Sequence, residues 1–422
     1  MAIKRIAILC LFLALLVLNT PPSFGAERQP KGARFSPGEV LVRLREQAPG
    51  PAVEAAKQAV GASKQRELKH LRVERWKVPA GKELEAIARL SRDPAVEVAQ
   101  PNYIYQALAD PAAVPATAQA LPNDPGLSQQ WGLSHVGAFE AWNTTSGDPS
   151  VVVAVIDSGL DFTHPDRPVN LVPGHNYVNP NDPNHPTDDF GHGTKVTGII
   201  AAATNNGIGV AGVASRVSVM ELKALDSTGW GTEFDVAEAI DYAANNGVRI
   251  INLSLGGTTD DQFMRDATNY AYGKGVLLVA AAGNAGSITP PVYPAAYPHV
   301  LAVAATDSTD QVAYFSLPGD YLDLAAPGVS IYSTAMGGSY ESGSGTSFAA
   351  PHVAGVAALV WAARPSLTVD EVHSLLRATA RDIGAPGWDA QTGWGLVDAA
   401  AAVRLASQGL EHLYLPLVGN GG

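Results

Sequence analysis

Three polar residues stand where acyl-transfer chemistry could be done. Asp157 ends the apolar run Val151–Ile156 and precedes Ser158-Gly159, so its carboxylate belongs at the carboxyl edge of a buried strand, where it can orient a neighbour away from bulk water. His192 lies in Asp188-Asp189-Phe190-Gly191-His192-Gly193-Thr194, where two flanking glycines let backbone and ligand approach the ring of a general base. Ser347 lies in Gly345-Thr346-Ser347-Phe348-Ala349-Ala350-Pro351-His352-Val353-Ala354-Gly355, opening a helix whose positive end favours negative charge. A serine hydroxyl is a poor nucleophile until a base takes its proton. The base must be held in one tautomer, and a tetrahedral intermediate needs donors for its oxygen. Asn284, in Ala280-Ala281-Ala282-Gly283-Asn284, offers an amide N–H as such a donor beside the Ser347 backbone N–H.

The elements that must position these residues are legible as pattern. Apolar runs at Val151–Ile156, Val217–Leu225, Arg249–Leu255, Val276–Ala281 and Val300–Ala304 predict strands. Amphipathic stretches at about His192–Ala203, Thr232–Asn246 and Asp260–Lys274 predict the helices between them. That alternation predicts an α/β fold, a doubly wound and mainly parallel sheet with helices on both faces. Before it, strands at Glu39–Leu44, Glu74–Val78 and Val96–Gln100 with helices at Val53–Val60 and Glu83–Leu90 predict a small α+β unit over 35–106. An Ala/Pro-rich linker at 107–122 has no face to bury and is open to proteolysis. The main domain is expected over 123–405, followed by a tail at 406–422 without an assigned role.

Lys4 and Arg5, the apolar run Ile6–Leu18, and small residues around Ser23, Gly25 and Ala26 predict a secretory signal over 1–25 rather than a membrane anchor. The single cysteine, Cys10, falls inside it, so the mature protein has neither disulfide nor thiol nucleophile. Residues 27–106 hold 15 Lys+Arg against 10 Asp+Glu, and residues 107–422 hold 11 against 30, so a basic segment precedes an acidic body that should attract it. The acidic body argues against nucleic acid and against stable association with an anionic membrane, and it favours solubility. Gly207-Ile208-Gly209-Val210-Ala211-Gly212 matches a dinucleotide fingerprint but follows a helix instead of a strand. The histidines at 164, 175, 185 and 192 lack the His-Glu-x-x-His helix of a zinc hydrolase, and no Gly-x-Ser-x-Gly pentapeptide of an α/β-hydrolase occurs.

The motifs Val155-Ile156-Asp157-Ser158-Gly159, Gly191-His192-Gly193-Thr194 and Gly345 to Gly355 resemble those of the subtilisin family of serine proteases, above all its thermitase-like members. The order Asp, His, Ser is that family's order and differs from the orders in chymotrypsin and the α/β-hydrolases. Lys195 and Thr197 stand where the family has His and Ala, and Leu317 stands for Asn in Phe315-Ser316-Leu317. None of these departures removes a group from the mechanism.

The resemblance covers about 123–404, and 37–105 resembles the family's inhibitory, chaperone-like propeptide. It implies a subtilisin-like fold and a secreted, monomeric, self-maturing endopeptidase acting on proteins and peptides, with the propeptide as intramolecular inhibitor. A catalytically silent binding module is the alternative. Substrate should add as a strand between Gly229-Trp230-Gly231 and Ser254-Leu255-Gly256. An apolar S1 pocket between Leu255–Gly257 and Ala281–Asn284, Gly283 included, should favour apolar or aromatic P1 residues. The resemblance further implies a structural calcium ion on Asp124, Asp166 and Asn206 with the carbonyls of Ala203, Ile208 and Val210, a staple in place of disulfides.

Overall fold

The computed structural model describes residues 34–107, 122–285 and 291–408. The expected signal, nearly all of the linker and most of the tail lie outside the described residues. The N-terminal unit runs β1 (Phe35–Leu44), α1 (Gly50–Ala59), β2 (Ser63–Leu68), β3 (Val73–Lys77), α2 (Glu83–Leu90) and β4 (Val96–Ala107), with an antiparallel sheet in the order β4-β1-β3-β2. Val40 and Val42 of β1 pack with Trp76 in the cluster under α1 and α2, whereas Leu41 belongs to a cluster continuous with the main domain. Both faces of this sheet are therefore covered, which is why Val40-Leu41-Val42 reads as an unbroken apolar run. β2 escapes the sequence pattern because Ser-Lys-Gln-Arg-Glu-Leu is an edge strand burying only Leu68.

The main domain begins with two short helices, α3 (Trp131–His135) and α4 (Ala138–Ala141). It continues β5 (Val152–Asp157), β6 (Asn170–Asn176), α5 (His192–Ala201), β7 (Ser218–Lys223), β8 (Trp230–Thr232), α6 (Glu233–Asn245), β9 (Ile250–Leu253), β10 (Leu255–Gly256), α7 (Gln262–Gly273) and β11 (Leu277–Ala281). It ends with β12 (Val300–Thr306), β13 (Leu322–Pro327), β14 (Ile331–Ala335), β15 (Ser339–Gly343), α8 (Thr346–Ala363), α9 (Val369–Thr379) and α10 (Ala399–Gln408). Seven parallel strands form the order β13-β12-β11-β9-β5-β7-β6. The predicted strand over Arg249–Leu255 divides at Ser254 into β9, inside this sheet, and β10, outside it. α10 runs three residues into the expected tail because Ala402, Val403 and Ala406 are buried.

Alternate residues of the central strands face opposite cores. Val153 and Val155 join the cluster holding α5 and α8, and Ala154 and Ile156 join the one holding α6 and α7. The α8 segment is long and apolar enough to cross a membrane by composition, yet 89% of it is buried inside the protein as its central helix. The chain passes from β7 on one side of β5 to β9 on the other, so a crevice opens at the carboxyl end of β5.

The charge asymmetry becomes an interface. Arg43 pairs with Asp266 on α7, and Arg66 pairs with Asp235 at 3.2 Å and with Glu238 on α6. Arg75 lies 3.6 Å from Asp235 and His70 2.9 Å from Asp241. The guanidiniums of Arg66 and Arg75 also lie over the Phe234 ring at 5.6 and 4.8 Å.

Candidate active site

Asp157 closes β5 and is fully buried, with its two oxygens 2.8 and 2.9 Å from His192 Nδ1. Its Oδ1 also accepts the Ser158 N–H at 2.7 Å. His192 opens α5, and a Cβ on the following Gly193 would lie 2.2 Å from the Gly159 carbonyl oxygen, so only glycine lets the helix start that close to the strand end. Asp188 ties the two loops together. Its Oδ1 accepts the Ser158 hydroxyl at 2.8 Å and the N–H groups of Phe190 and Gly191 at 3.1 and 2.8 Å. Its Oδ2 accepts the Thr194 N–H and hydroxyl at 2.9 and 2.6 Å. The Ser158 hydroxyl completes the bridge by accepting the Gly193 N–H at 2.9 Å. Lys223 braces the same turn by donating to the carbonyls of Ser158 and Leu225 at 2.6 and 2.8 Å.

Ser347 is the second residue of α8 and is buried. Four residues later Pro351 has no N–H to donate to the Ser347 carbonyl, and that carbonyl accepts instead from the Ser254 hydroxyl at 2.8 Å. The proline thus couples Ser347 to the junction of β9 and β10. Asn284 follows β11, and its Oδ1 accepts both the N–H and the hydroxyl of Thr346 at 3.0 Å, which leaves Nδ2 pointing away from them. The Thr346 hydroxyl is itself held by the Gly283 N–H at 3.0 Å. His192 Nε2, Ser347 Oγ and Asn284 Nδ2 are all buried and without a hydrogen-bond partner in the protein. Seven other buried side-chain atoms among the described residues are also unpaired, but these three meet at the start of α8, where Asn284 holds Thr346 and the His192 ring lies 5.7 Å from that of Phe348.

His352, in the same motif as Ser347, has a different part. Its Nδ1 lies 2.8 Å from the Phe348 carbonyl, and burial lowers its pKa to about 4, so it is a neutral core residue. The departures at 195, 197 and 317 each find local partners. Lys195 pairs with Glu341 at 2.7 Å, the Thr197 hydroxyl donates to Glu221 at 2.9 Å, and the Leu317 N–H donates to the Gly283 carbonyl at 3.1 Å. Burial, followed by the charge of Asp157, pushes the Glu221 carboxyl well above the usual range.

The end of β4 lies as an extra antiparallel strand between β8 and β10. Ile104, Tyr105 and Gln106 pair with Thr232, Gly231 and Trp230 on one edge, and Gln106 and Ala107 pair with Gly256 and Leu255 on the other. Of the residues expected to bind substrate, Trp230, Gly231, Leu255 and Gly256 are in this ladder and Ser254 touches Ser347. Gly229 and Gly283 are not in it. Gly229 (φ 77°) turns into β8, where a Cβ would meet the Phe190 ring at 2.6 Å, and Gly283 supports Thr346.

Among the described residues no group of three or more acidic, histidine or cysteine side chains could hold a metal. The carboxylates expected to bind calcium are nevertheless buried together. Asp124 accepts the N–H groups of Asn205 and Asn206 at 2.7 and 3.1 Å, and Asp166 accepts Asn206 Nδ2 at 2.8 Å and the Val210 N–H at 2.7 Å. The Ala203 N–H meets the Asp166 carbonyl at 3.3 Å, and the Ile208 N–H meets Asn206 Oδ1 at 3.0 Å. Burial, together with the charge of Asp124, raises the Asp166 pKa.

Sequence reasoning placed Asp157, His192, Ser347 and Asn284 but left Asp188, Thr346 and Pro351 without roles. All three sit inside the quoted motifs, so their position was visible and their partners were not.

Comparison with known proteins identifies the family. Residues 148–395 match the subtilase family, and residues 21–102 match the fervidolysin N-terminal prodomain. A thermophilic serine proteinase of Bacillus sp. (strain AK1) is 39% identical over 358 residues, 85% of either chain. Thermitase of Thermoactinomyces vulgaris is 43% identical over 286 residues, 67% of this chain and 99% of thermitase. Among solved structures, fervidolysin from Fervidobacterium pennivorans, a keratinolytic enzyme related to subtilisin, superposes with a TM-score of 0.77 at 30% identity. It covers 89% of this chain, which in turn spans 62% of fervidolysin. The chain belongs to the subtilase family of serine peptidases and carries a fervidolysin-type prodomain ahead of its subtilisin-like domain.

Proposed function

We propose that the chain is a secreted endopeptidase that matures itself and hydrolyses peptide bonds through an acyl-enzyme on Ser347. The observation that carries this reading is the set of three unpaired atoms, His192 Nε2, Ser347 Oγ and Asn284 Nδ2, beside the strand formed by residues 104–107. Ser347 Oγ bonds to the scissile carbonyl carbon as its proton passes to His192 Nε2. The oxygen that becomes negative accepts from Asn284 Nδ2 and the Ser347 N–H. The C–N bond then breaks and His192 returns the proton to the leaving amine. Water repeats the sequence, giving one proton to His192 and its oxygen to the acyl carbon, and Ser347 leaves with that proton. Asp157 holds His192 in the tautomer that presents Nε2 as acceptor.

Recognition through backbone pairing to β8 and β10 supports broad specificity. The apolar residues lining Leu255–Gly257 and Ala281–Asn284 support apolar or aromatic P1. The burial of Asp124 against Asp166 fits a divalent cation. Asp124, Asp166, Asn206 and the carbonyls of Ala203, Ile208 and Val210 would hold calcium, which neutralises the two acids and staples the loop after α5. Residues 1–25 serve as the signal, 35–106 as the inhibitory propeptide and 107–122 as the cleaved linker, with the peptidase over 123–405 acting as a monomer outside the cell.

The test compares residues 27–422 with the same chain carrying Ser347→Ala, following precursor size and casein hydrolysis with calcium present. Processing and hydrolysis should vanish together in the variant. A variant that matures at the wild-type rate refutes self-processing, and a folded wild type that cleaves nothing refutes the peptidase reading.

A further inference from the structure

Two buried carboxyl groups that the mechanism does not use, Glu233 and Asp261, hydrogen-bond to each other and meet the last strand of the prodomain. Glu233 accepts from Gln100 Nε2 at 3.0 and 3.2 Å and from the Tyr103 N–H at 3.3 Å. Asp261 caps α7 with Oδ1, which accepts the Met264 N–H at 2.6 Å, and with Oδ2 it accepts the Tyr105 hydroxyl at 3.0 Å. Tyr297 spends its own hydroxyl on the backbone of Asp261, accepting the N–H at 2.9 Å and donating to the carbonyl at 3.0 Å. The Tyr105 ring lies in the buried apolar cluster that holds Leu255, Phe263 and Tyr297, and Asp261 Oδ2 is the acceptor at its hydroxyl end. Tyr105 is only 1% exposed, so its ring excludes water from that acceptor.

We infer that Asp261 makes this pocket a tyrosine-selective subsite for substrates, reading the residue that pairs with Gly231. The inference rests on the proposal that substrate lies between β8 and β10. The ladder sets the position. Leu255 faces residue 107 and Gly256 faces residue 106, so a substrate strand one residue longer places that residue opposite Ser254, whose hydroxyl touches the Ser347 carbonyl. Counting back from there, the residue opposite Gly231 is the fourth before the scissile bond, P4. Phenylalanine at P4 would fill the walls and take the phenol donor from Asp261 Oδ2, leaving that carboxyl with its Glu233 neighbour and the α7 cap. A site built around a hydroxyl rejects the analogue that lacks it for that reason. Burial pushes the Tyr105 phenol well above its ordinary pKa, so it enters as a donor at any working pH.

The matured enzyme should be given three fluorogenic peptides differing only at P4, Xaa-Gln-Ala-Leu with Xaa Tyr, Phe or Ala. Tyrosine should exceed phenylalanine in kcat/KM by about ten-fold, from the strength of a hydrogen bond to a buried carboxyl. In Asp261→Ser, which keeps a helix-capping oxygen and removes the second one, the ratio should fall to within about two-fold. Phenylalanine cleaved as fast as tyrosine by the wild type, or a ratio that survives in Asp261→Ser, overturns the subsite and leaves the cleft standing. Failure to cleave any of the three peptides overturns the cleft assignment and the subsite with it.

Discussion

Asp188→Asn changes one oxygen to nitrogen with no change of shape, yet it should be among the most damaging conservative substitutions in the protein. Five donors converge on the Asp188 carboxylate, three on Oδ1 and two on Oδ2. An asparagine that keeps its oxygen on the Oδ1 side turns its NH2 towards Thr194. The Thr194 hydroxyl can rotate to accept it, but the Thr194 N–H is left buried and unpaired, at about 1–3 kcal/mol. The three remaining bonds lose their charge assistance, which adds roughly 2 kcal/mol. The sum, about 3–5 kcal/mol, is a large part of the margin that keeps a domain folded. It corresponds to roughly 6–20 °C in Tm for a domain of this size. Melting should be followed at fixed scan rate in the Ser347→Ala background, so that self-digestion does not obscure unfolding. Activity of the matured single variant should fall as well, because the loops carrying Asp157 and His192 lose their shared anchor. A Tm within about 2 °C of the parent together with unchanged kcat/KM would refute the view that Asp188 holds the two loops in register.

Asn284→Leu should lower kcat by about 10²–10³ with little change in KM, a magnitude known for a subtilisin asparagine and taken over here; an equal loss in KM would mean that Asn284 binds ground state. Arg66→Ala removes the contacts to Asp235, Glu238 and Phe234 at once, and the lag before activity appears in self-maturing precursor should shorten several-fold; an unchanged lag places the docking energy elsewhere. Chelation should lower Tm and speed autolysis, with Asp166→Asn reproducing the loss and no longer responding to calcium; equal melting with and without chelator counts against the site. His352 is held neutral to a pKa of about 4 against its ordinary 6.5, so the unfolded chain takes up a proton that the native one refuses as pH falls through that window. About 3 kcal/mol of stability should drain away between pH 6.5 and 4. His352→Gln should flatten that decline in Tm; an identical slope assigns it to other groups.

The elements around the site were legible to different degrees, for physical reasons. β5, β9, β11 and β12 are buried on both faces and write themselves as apolar runs. β2, an edge strand of mostly polar residues, and β8 and β10, which exist as strands only because β4 pairs with them, leave no hydrophobic record. β4 itself extends beyond the predicted Gln100 to Ala107 for the same reason.

By itself the sequence pointed to the chemistry, and the family it resembled is the one the chain belongs to. Asp157, His192, Asn284 and Ser347 lie in short motifs whose glycines and helix starts are local requirements, and local requirements survive in a linear record. The opposed charges of the two segments were equally plain, since charge can be counted without a fold. Only the tertiary structure decided how those groups are held. Thr346 orients Asn284 across 62 residues, and Ser254 takes the Ser347 carbonyl that Pro351 leaves free across 93. It also decided that His192 faces the cleft while His352 is sealed in the core, and that Tyr105 ends on Asp261. Such contacts depend on which strands become neighbours, and the order of strands in a parallel sheet is set by packing of whole faces, which no short stretch of sequence contains.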